Sequence, residues 1–425
     1  MSKTRRSFIR NGLLASMIPS VSFATGNYGK VLEEAIDNTS KYSAPSDLKI
    51  TKVLSASDGH GVFLKVLTNQ GIVGYGEGVD AVRGTYYLVK LLGEQLVGKS
   101  PLNPNVIFEG FRKGNFFGGA QSGVFPAVLS AFDMAMWDLC GKALGLPIYQ
   151  LLGGKFRDKI LVYCDTQLYA VNNPSPDVYA KVGVEAVSKG YKAIKFDIDW
   201  AGDPNRFDRW NWTANDQEVQ RMYNSIAAVR KAVGPKIEIC VDMHGRYDAP
   251  TGRKVAKVME PLNLMWLEEP IPADNVEVYK TITQETSTPI CTGENLYLTY
   301  GFARLLSEGA TDIIMPDLQK CGGLGEGQRI ANLANTYYVP FSPHMVSSYM
   351  AAMATAHVCA SVPNFQILEW QSQSDTQAKW RDIVKFGGPF IVDGYLPLSN
   401  KPGIGVDLNE EGLKKYAVPG EPFFE

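Results

Sequence analysis

The chain has 425 residues, enough for one large domain or two ordinary ones, and a formal charge of -2 with 45% hydrophobic residues marks a soluble globular protein. Basic residues are scattered and no Lys/Arg cluster is interleaved with aromatics, which excludes a nucleic-acid-binding surface. Six cysteines, Cys140, Cys164, Cys240, Cys291, Cys321 and Cys359, lie far apart among mostly apolar neighbours; they read as buried thiols.

In chain order, "TRRSFIR" precedes the weakly apolar "GLLASMIPSVSFA". Arg5 and Arg6 are the pair of a twin-arginine export signal over residues 1–24, which predicts a periplasmic protein. The apolar stretch is broken by Ser and Pro and is too short to span a bilayer, so no stable membrane anchor is expected. Residues 25–46 read as a linker.

Next, "DLKITKVLSAS" and "GVFLKVLTNQGIVGYGEG" alternate like antiparallel strands, and "AVLSAFDMAMWDLCGKAL" follows with helical spacing. This is the start of an α+β capping domain, residues 47–158. Strand-like "FGGPFIVDGYLPLSNKPGIGVDL" near the other end predicts that about 376–425 completes it.

Between them, apolar runs ending in a polar residue recur: "KILVYCD", "YKAIKFD", "KIEICVD", "LMWLEE", "TPICTGE", "TDIIMPD", "VPFSPH" and "FQILE". From Asp242 the polar ends fall at Glu268, Glu294, Asp317, His344 and Glu369, at intervals of 26, 26, 23, 27 and 25 residues. A strand, a turn, a helix and a return loop occupy that length, so residues 159–375 are predicted to form a (β/α)8 barrel of class α/β. Its C-terminal strand ends converge on one face.

Asp242, Glu268 or its neighbour Glu269, and Glu294 end three consecutive strands, and oxygen donors converging in this way suit Mg²⁺. Any one acid alone would as readily cap a helix. Asp317 and His344 end the next two strands; a carboxylate beside an imidazole fixes its tautomer and makes a general base. On the second strand Lys195 and Asp197 share a face, so Lys195 can neutralise a substrate carboxylate or pair with Asp197. Glu369 can hydrogen-bond an enolate oxygen or form a rim salt bridge. The set suits removal of a proton from carbon next to a carboxylate.

Lesser signals carry bland readings. "CGGLGEG" lacks dinucleotide-site spacing and is a turn, and His357 in "YMAAMATAHVCA" is packed in a helix. The aromatic insertion "WAGDPNRFDRWNWTAND" leaves the active face as a lid, a subunit contact or surface elaboration.

From the cap strands through "AMWDLCGKALGLPIYQLLGG", "IKFD", "VDMHG", "WLEEP", "GEN", "MPDLQKCGG" and "SPH" to "KPGIGVDL", the chain resembles the mandelate racemase subgroup of the enolase superfamily, over roughly residues 47–415. The resemblance implies Asp242, Glu268 and Glu294 as metal ligands, His344 as base oriented by Asp317, Lys195 at the substrate carboxylate and Glu369 at the enolate. "DMHGR" is similar to sugar-acid dehydratases of the galactonate type, in which a histidine at the position of His244 protonates the departing 3-hydroxyl; Arg246 would contact substrate hydroxyls. Racemases of the subgroup carry a second lysine where this chain has Asp197, which disfavours racemisation and leaves Asp197 at the substrate, as in gluconate-type dehydratases. The loops at "SDGHG", with His60, and "GNFFGGA" are expected to close the pocket.

The reading is a Mg²⁺-dependent dehydratase of a small-molecule sugar acid, converting an aldonate to a 2-keto-3-deoxy acid, exported and homo-oligomeric as such barrels often are. The alternatives are a cycloisomerase or epimerase using the same proton abstraction, and a sugar-acid binding protein without turnover.

Overall fold

A computed structural model describes residues 47–80, 85–166, 168, 174–200, 202–203, 206, 210, 212–371 and 378–425. The export signal, the linker and part of the aromatic insertion lie outside the described residues.

Strands β1 (Ile50–Ser57), β2 (Gly61–Thr68) and β3 (Val73–Val79) form an antiparallel meander in that order. Across it lies the helix Val124–Leu144, apolar on nearly every side. By length and composition it could cross a membrane, yet most of it is buried inside the cap. Three alternate glycines of β3 explain how closely it lies. A Cβ at Gly74, Gly76 or Gly78 would come within 2.4, 1.9 and 2.4 Å of Leu139, the Ala131 carbonyl and the Ala127 carbonyl. With period two, one face of the strand is stripped of side chains and accepts the helix backbone.

The barrel runs through β4 (Lys159–Asp165), β5 (Ala193–Asp197), β6 (Glu238–Asp242), β7 (Trp266–Glu268), β8 (Ile290–Thr292), β9 (Ile313–Ile314) and β10 (Leu368–Gln371). All are parallel, and β10 returns to pair with β4. Seven regular staves stand where eight apolar runs were expected. The seventh run, "VPFSPH", is held by isolated parallel bridges of Phe341 to Ile314 and Phe365, and of His344 to Asp317. Pro340 and Pro343 offer no N–H, so a continuous ladder cannot form there. The Ser342 N–H still reaches the Ile314 carbonyl at 2.9 Å, and the Gln366 N–H reaches the Phe341 carbonyl at 3.0 Å.

Tyr163, Cys240, Trp266, Cys291, Ile313, Met315 and Ile367 pack together below the strand ends. The barrel interior is thus a filled core that supports a site above it. All six cysteines are free and buried, and His357 is fully buried in the helix Tyr349–Ser361 with Nε2 on the Ile404 carbonyl at 3.0 Å.

After the barrel the chain rejoins the cap. β11 (Val384–Lys385) and β13 (Asp407–Leu408) pair with each other, and β12 (Tyr395–Pro397) adds antiparallel to β4. The Val418 and Phe424 N–H groups donate to the Ser57 and Ser55 carbonyls. Buried Asp138 ties these parts, accepting from the Tyr75 N–H at 3.0 Å, the Ile404 N–H at 2.9 Å and Lys142 Nζ at 2.7 Å. Cap meets barrel mouth where the Ser348 N–H donates to Glu77 Oε1 at 2.9 Å and Lys320 pairs with Asp80 at 2.8 Å.

Two glycine substitutions should move stability in opposite directions. Gly76→Ala forces Cβ into the Ala131 carbonyl and should cost about 1–3 kcal/mol. Gly110→Ala, within the helix Pro104–Gly114 with open space around it, should stabilise by about 0.4–1 kcal/mol. Urea midpoints of the two variants against the parent decide both; an unchanged midpoint for Gly76→Ala would remove the packing argument.

Candidate active site

Several of the sequence-nominated strand ends open into one cavity of about 670 Å³, whose walls include Lys195, Asp197, His244, Glu294, His344 and Glu369, while Asp242, Glu268 and Asp317 stand behind that lining. Parallel pairing aligns Asp197 with Asp242 and Asp242 with Glu268, so the acids rise side by side. Donor oxygens of Asp242, Glu268 and Glu294 all lie within 4.8 Å of one another.

The strand does choose between the two acids of "LEEP". Glu268 points to the triad, with Oε2 receiving Trp266 Nε1–H at 3.0 Å. Glu269 turns away at φ 36°, accepting from Thr292 Oγ1 at 3.1 Å and Asn295 Nδ2 at 2.8 Å. Burial and then the charge of Glu294 push Glu269 up to about 7.

Lys195 does not pair with Asp197. Its Nζ lies 2.7 Å from Glu369, 3.1 Å from Asp242 and 3.3 Å from Glu268, all fully buried. Burial opposes its charge, but Glu268 and Glu369 hold it well above the usual lysine range. Glu369 is likewise not a rim group: its Oε2 accepts the Met345 N–H at 3.0 Å deep in the barrel. Even with Lys195 present, burial followed by Asp242 drives Glu268 well above the usual carboxylate range. The cluster is short of positive charge.

Two imidazoles flank the triad. His344 Nδ1 sits 2.8 Å from Asp317 Oδ2, while Nε2 is 3.0 Å from Glu294 and 3.6 Å from Glu369. Burial lowers its basicity, yet Glu369 and Glu294 outweigh that and raise it well above the ordinary range. In turn, burial works to raise Glu294, but the charge of His344 holds it well below.

On the other side His244 adopts φ 48°, a left-handed conformation rare outside glycine, and its backbone N–H donates to Asp242 Oδ1 at 2.8 Å. The turn therefore bonds the carboxylate through the backbone and frees the ring. Nδ1 sits 3.1 Å from Asp199 Oδ1, and Nε2 is 3.6 Å from Asp242. Burial would lower His244, but Asp242 and Asp199 push it up to about 11. Burial and then Asp165 raise Asp197 well above the carboxylate range.

Arg246 lines the cavity with its guanidinium 2.8 Å from Asp199 Oδ2. His60 also lines it, with Nε2 3.3 Å from the Val346 carbonyl. "GNFFGGA" does not: Phe116 borders a separate apolar hollow with Tyr297 and Tyr300, so this loop closes no part of the cavity among the described residues. Of the insertion, Trp200 lines the cavity, whereas Trp210 and Trp212 are exposed.

Sequence reasoning missed Asp165, Asp199, Asn295 and Lys320 in the walls. Asp199 was detectable, since it follows Asp197 by two in "DID" and continues the same face. Asp165 ends the first strand as the other acids end theirs. Asn295 and Lys320 lie on loops, where no period reports direction.

The α/β barrel thus brings a ladder of strand-end acids and two carboxylate-braced imidazoles together at one end. The chain belongs to the mandelate racemase/muconate lactonizing enzyme family of the enolase superfamily: residues 36–153 match the mandelate racemase/muconate lactonizing enzyme N-terminal domain, and residues 179–412 the enolase C-terminal domain-like family. Among relatives, D-xylonate dehydratase of Haloferax volcanii is 35% identical over 92% of this chain and 94% of its own. D-galactonate dehydratase of Pectobacterium atrosepticum is 32% identical over 86% and 93%. The structure of a mandelate racemase/muconate lactonizing enzyme-like protein from Rubrobacter xylanophilus superimposes with a TM-score of 0.84, at 39% identity over 89% of this chain and all of that one.

Lys195→Met should leave buried carboxylates unpaired and lower stability at pH 7 by about 3–5 kcal/mol in the metal-free protein. The loss should be smaller at pH 5 than at pH 7, because acid favours the neutral form of the buried carboxylates left unpaired, as burial and Asp242 already do for Glu268. Denaturant titrations at both pH values test this; equal losses would show that the pairs carry no net charge problem.

Proposed function

We propose that the protein is a Mg²⁺-dependent dehydratase of a sugar acid of the aldonate class. The observation that carries the reading is the pair of imidazoles facing one cavity from opposite sides of the carboxylate triad, each with Nδ1 on its own aspartate. The named activities of the xylonate and galactonate relatives support the same class.

Asp242, Glu268 and Glu294 would hold the ion. Their gathered oxygens and the shortage of positive charge among them fit a hard dication. Bound there, Mg²⁺ would supply the charge that a doubly negative enediolate needs and would offset the carboxylate field that keeps both imidazoles protonated.

The remaining steps belong to side chains. His344 Nε2 takes the C2 proton, with Asp317 keeping the ring in the tautomer that presents a lone pair. Lys195 presents its ammonium to the substrate carboxylate, and Glu369 lies at the developing enolate oxygen. His244 Nε2 gives its proton to the C3 hydroxyl as the C3–O bond breaks, and water leaves. The enol then ketonises to a 2-keto-3-deoxy acid. Asp197, Arg246 and His60 line the walls where the remaining hydroxyls lie.

A panel of aldonic acids with Mg²⁺ should yield a 2-keto product from at least one, and EDTA should abolish it. In D₂O, His344→Asn should lose both C2 exchange and product by about 10²–10⁴-fold, whereas His244→Asn should keep exchange and lose elimination. Exchange without any elimination in the parent protein would point instead to an epimerase or cycloisomerase, and tight binding with neither to a binding protein.

Export rests on Arg5, Arg6 and the apolar stretch to Ala24. Residues 1–24 fused to a folded reporter should deliver it to the periplasm, and Lys at both arginines should stop delivery. Equal delivery by the double variant would rule this route out.

A further inference from the structure

Beside the Asp242–Glu268–Glu294 triad lies a second donor group sharing only Asp242 with it. His244, Asp197 and Asp242 each offer one atom within 4.8 Å of the others. His244 Nε2 stands 3.6 Å from Asp242 Oδ2 and 3.9 Å from Asp197 Oδ1. The ligand-to-ligand edges of a tetrahedral site with 2.0–2.2 Å bonds are roughly 3.3–3.6 Å, so the two edges at Nε2 are close to those around one ion, and the third, between Asp197 and Asp242, lies within 4.8 Å.

Two further observations point to a ligand. Asp197 is 5% exposed, and its Oδ2 is buried with no hydrogen-bond partner among the described residues. Asp199 holds His244 Nδ1 at 3.1 Å, which aims Nε2 into the group, where a binding ion displaces its proton. A carboxylate behind a ligating imidazole is how metal-binding histidines are commonly oriented.

We propose that Asp197, Asp242 and His244 form a second cation site that takes a nitrogen-preferring ion such as Zn²⁺ or Co²⁺, beside an oxygen-only site that suits Mg²⁺. Its occupation ties up His244 Nε2, so the second ion blocks proton delivery to the leaving hydroxyl and inhibits. That consequence rests on the dehydratase reading; binding does not.

The test uses full-length protein without an affinity tag, titrated with Co²⁺ and separately with Mg²⁺, by calorimetry and by visible absorption for Co²⁺. The parent protein should bind two Co²⁺ and one Mg²⁺ per chain. His244→Asn, chosen because asparagine tolerates the left-handed backbone, should bind one Co²⁺ and one Mg²⁺. Asp199→Asn, which keeps all three donors, should weaken only the second Co²⁺ by about 10–100-fold. A single Co²⁺ in the parent, two in His244→Asn, or an unchanged second affinity in Asp199→Asn would overturn the site. None of these results depends on turnover, so a failed sugar-acid assay and a failed second site remain distinct outcomes.

Discussion

The structure is organised around an electrostatic excess. Asp242, Glu268 and Glu369 are fully buried around a single ammonium, that of Lys195, with Glu294 close by. Charges removed from water in this number are costly unless paired, and one lysine cannot satisfy them. The excess has local consequences: Glu268 is held well above the carboxylate range, and both imidazoles are raised above theirs. Under the proposed reading, a bound cation would relieve this excess and let the imidazoles act as base and acid.

Holding this arrangement requires a stiff scaffold with a few backbone departures. The aromatic and sulfur-bearing layer beneath the strand ends fixes their height. Above it, His244 at φ 48° and Glu269 at φ 36° leave the extended conformation just after β6 and β7, which turns one ring into the cavity and one acid out of it. Such outliers persist where surrounding contacts over-determine them, and here the Asp242, Thr292 and Asn295 contacts do so. Prolines at 340 and 343 interrupt the seventh stave, yet bridges on both sides keep His344 beside Asp317. The cap contributes through its glycine-stripped strand, which seats a long helix and brings Asp80 and Glu77 to the barrel mouth.

Much of this was legible because parallel barrels repeat. Once the spacing from Asp242 to Glu369 was read as successive βα units, the convergence of their ends followed from geometry alone. The same reasoning failed where no period exists. Lys320 and Asn295 reach the cavity from loops, "GNFFGGA" borders a different hollow, and the partner of Lys195 was set by neighbours on three other strands rather than by Asp197 two residues away.

The sequence by itself determined the fold class, the face on which the acids gather and the Asp317–His344 pairing, because strand periodicity and βα length are local properties. Only the tertiary structure decided that Lys195 serves three carboxylates at once and that Asp199 braces His244, and it turned Glu268 of "LEEP" into the triad, a choice the family resemblance implied and strand alternation left open. Those outcomes depend on distances between side chains far apart in the chain, and such distances exist only after the strands are laid side by side and water is excluded from between them.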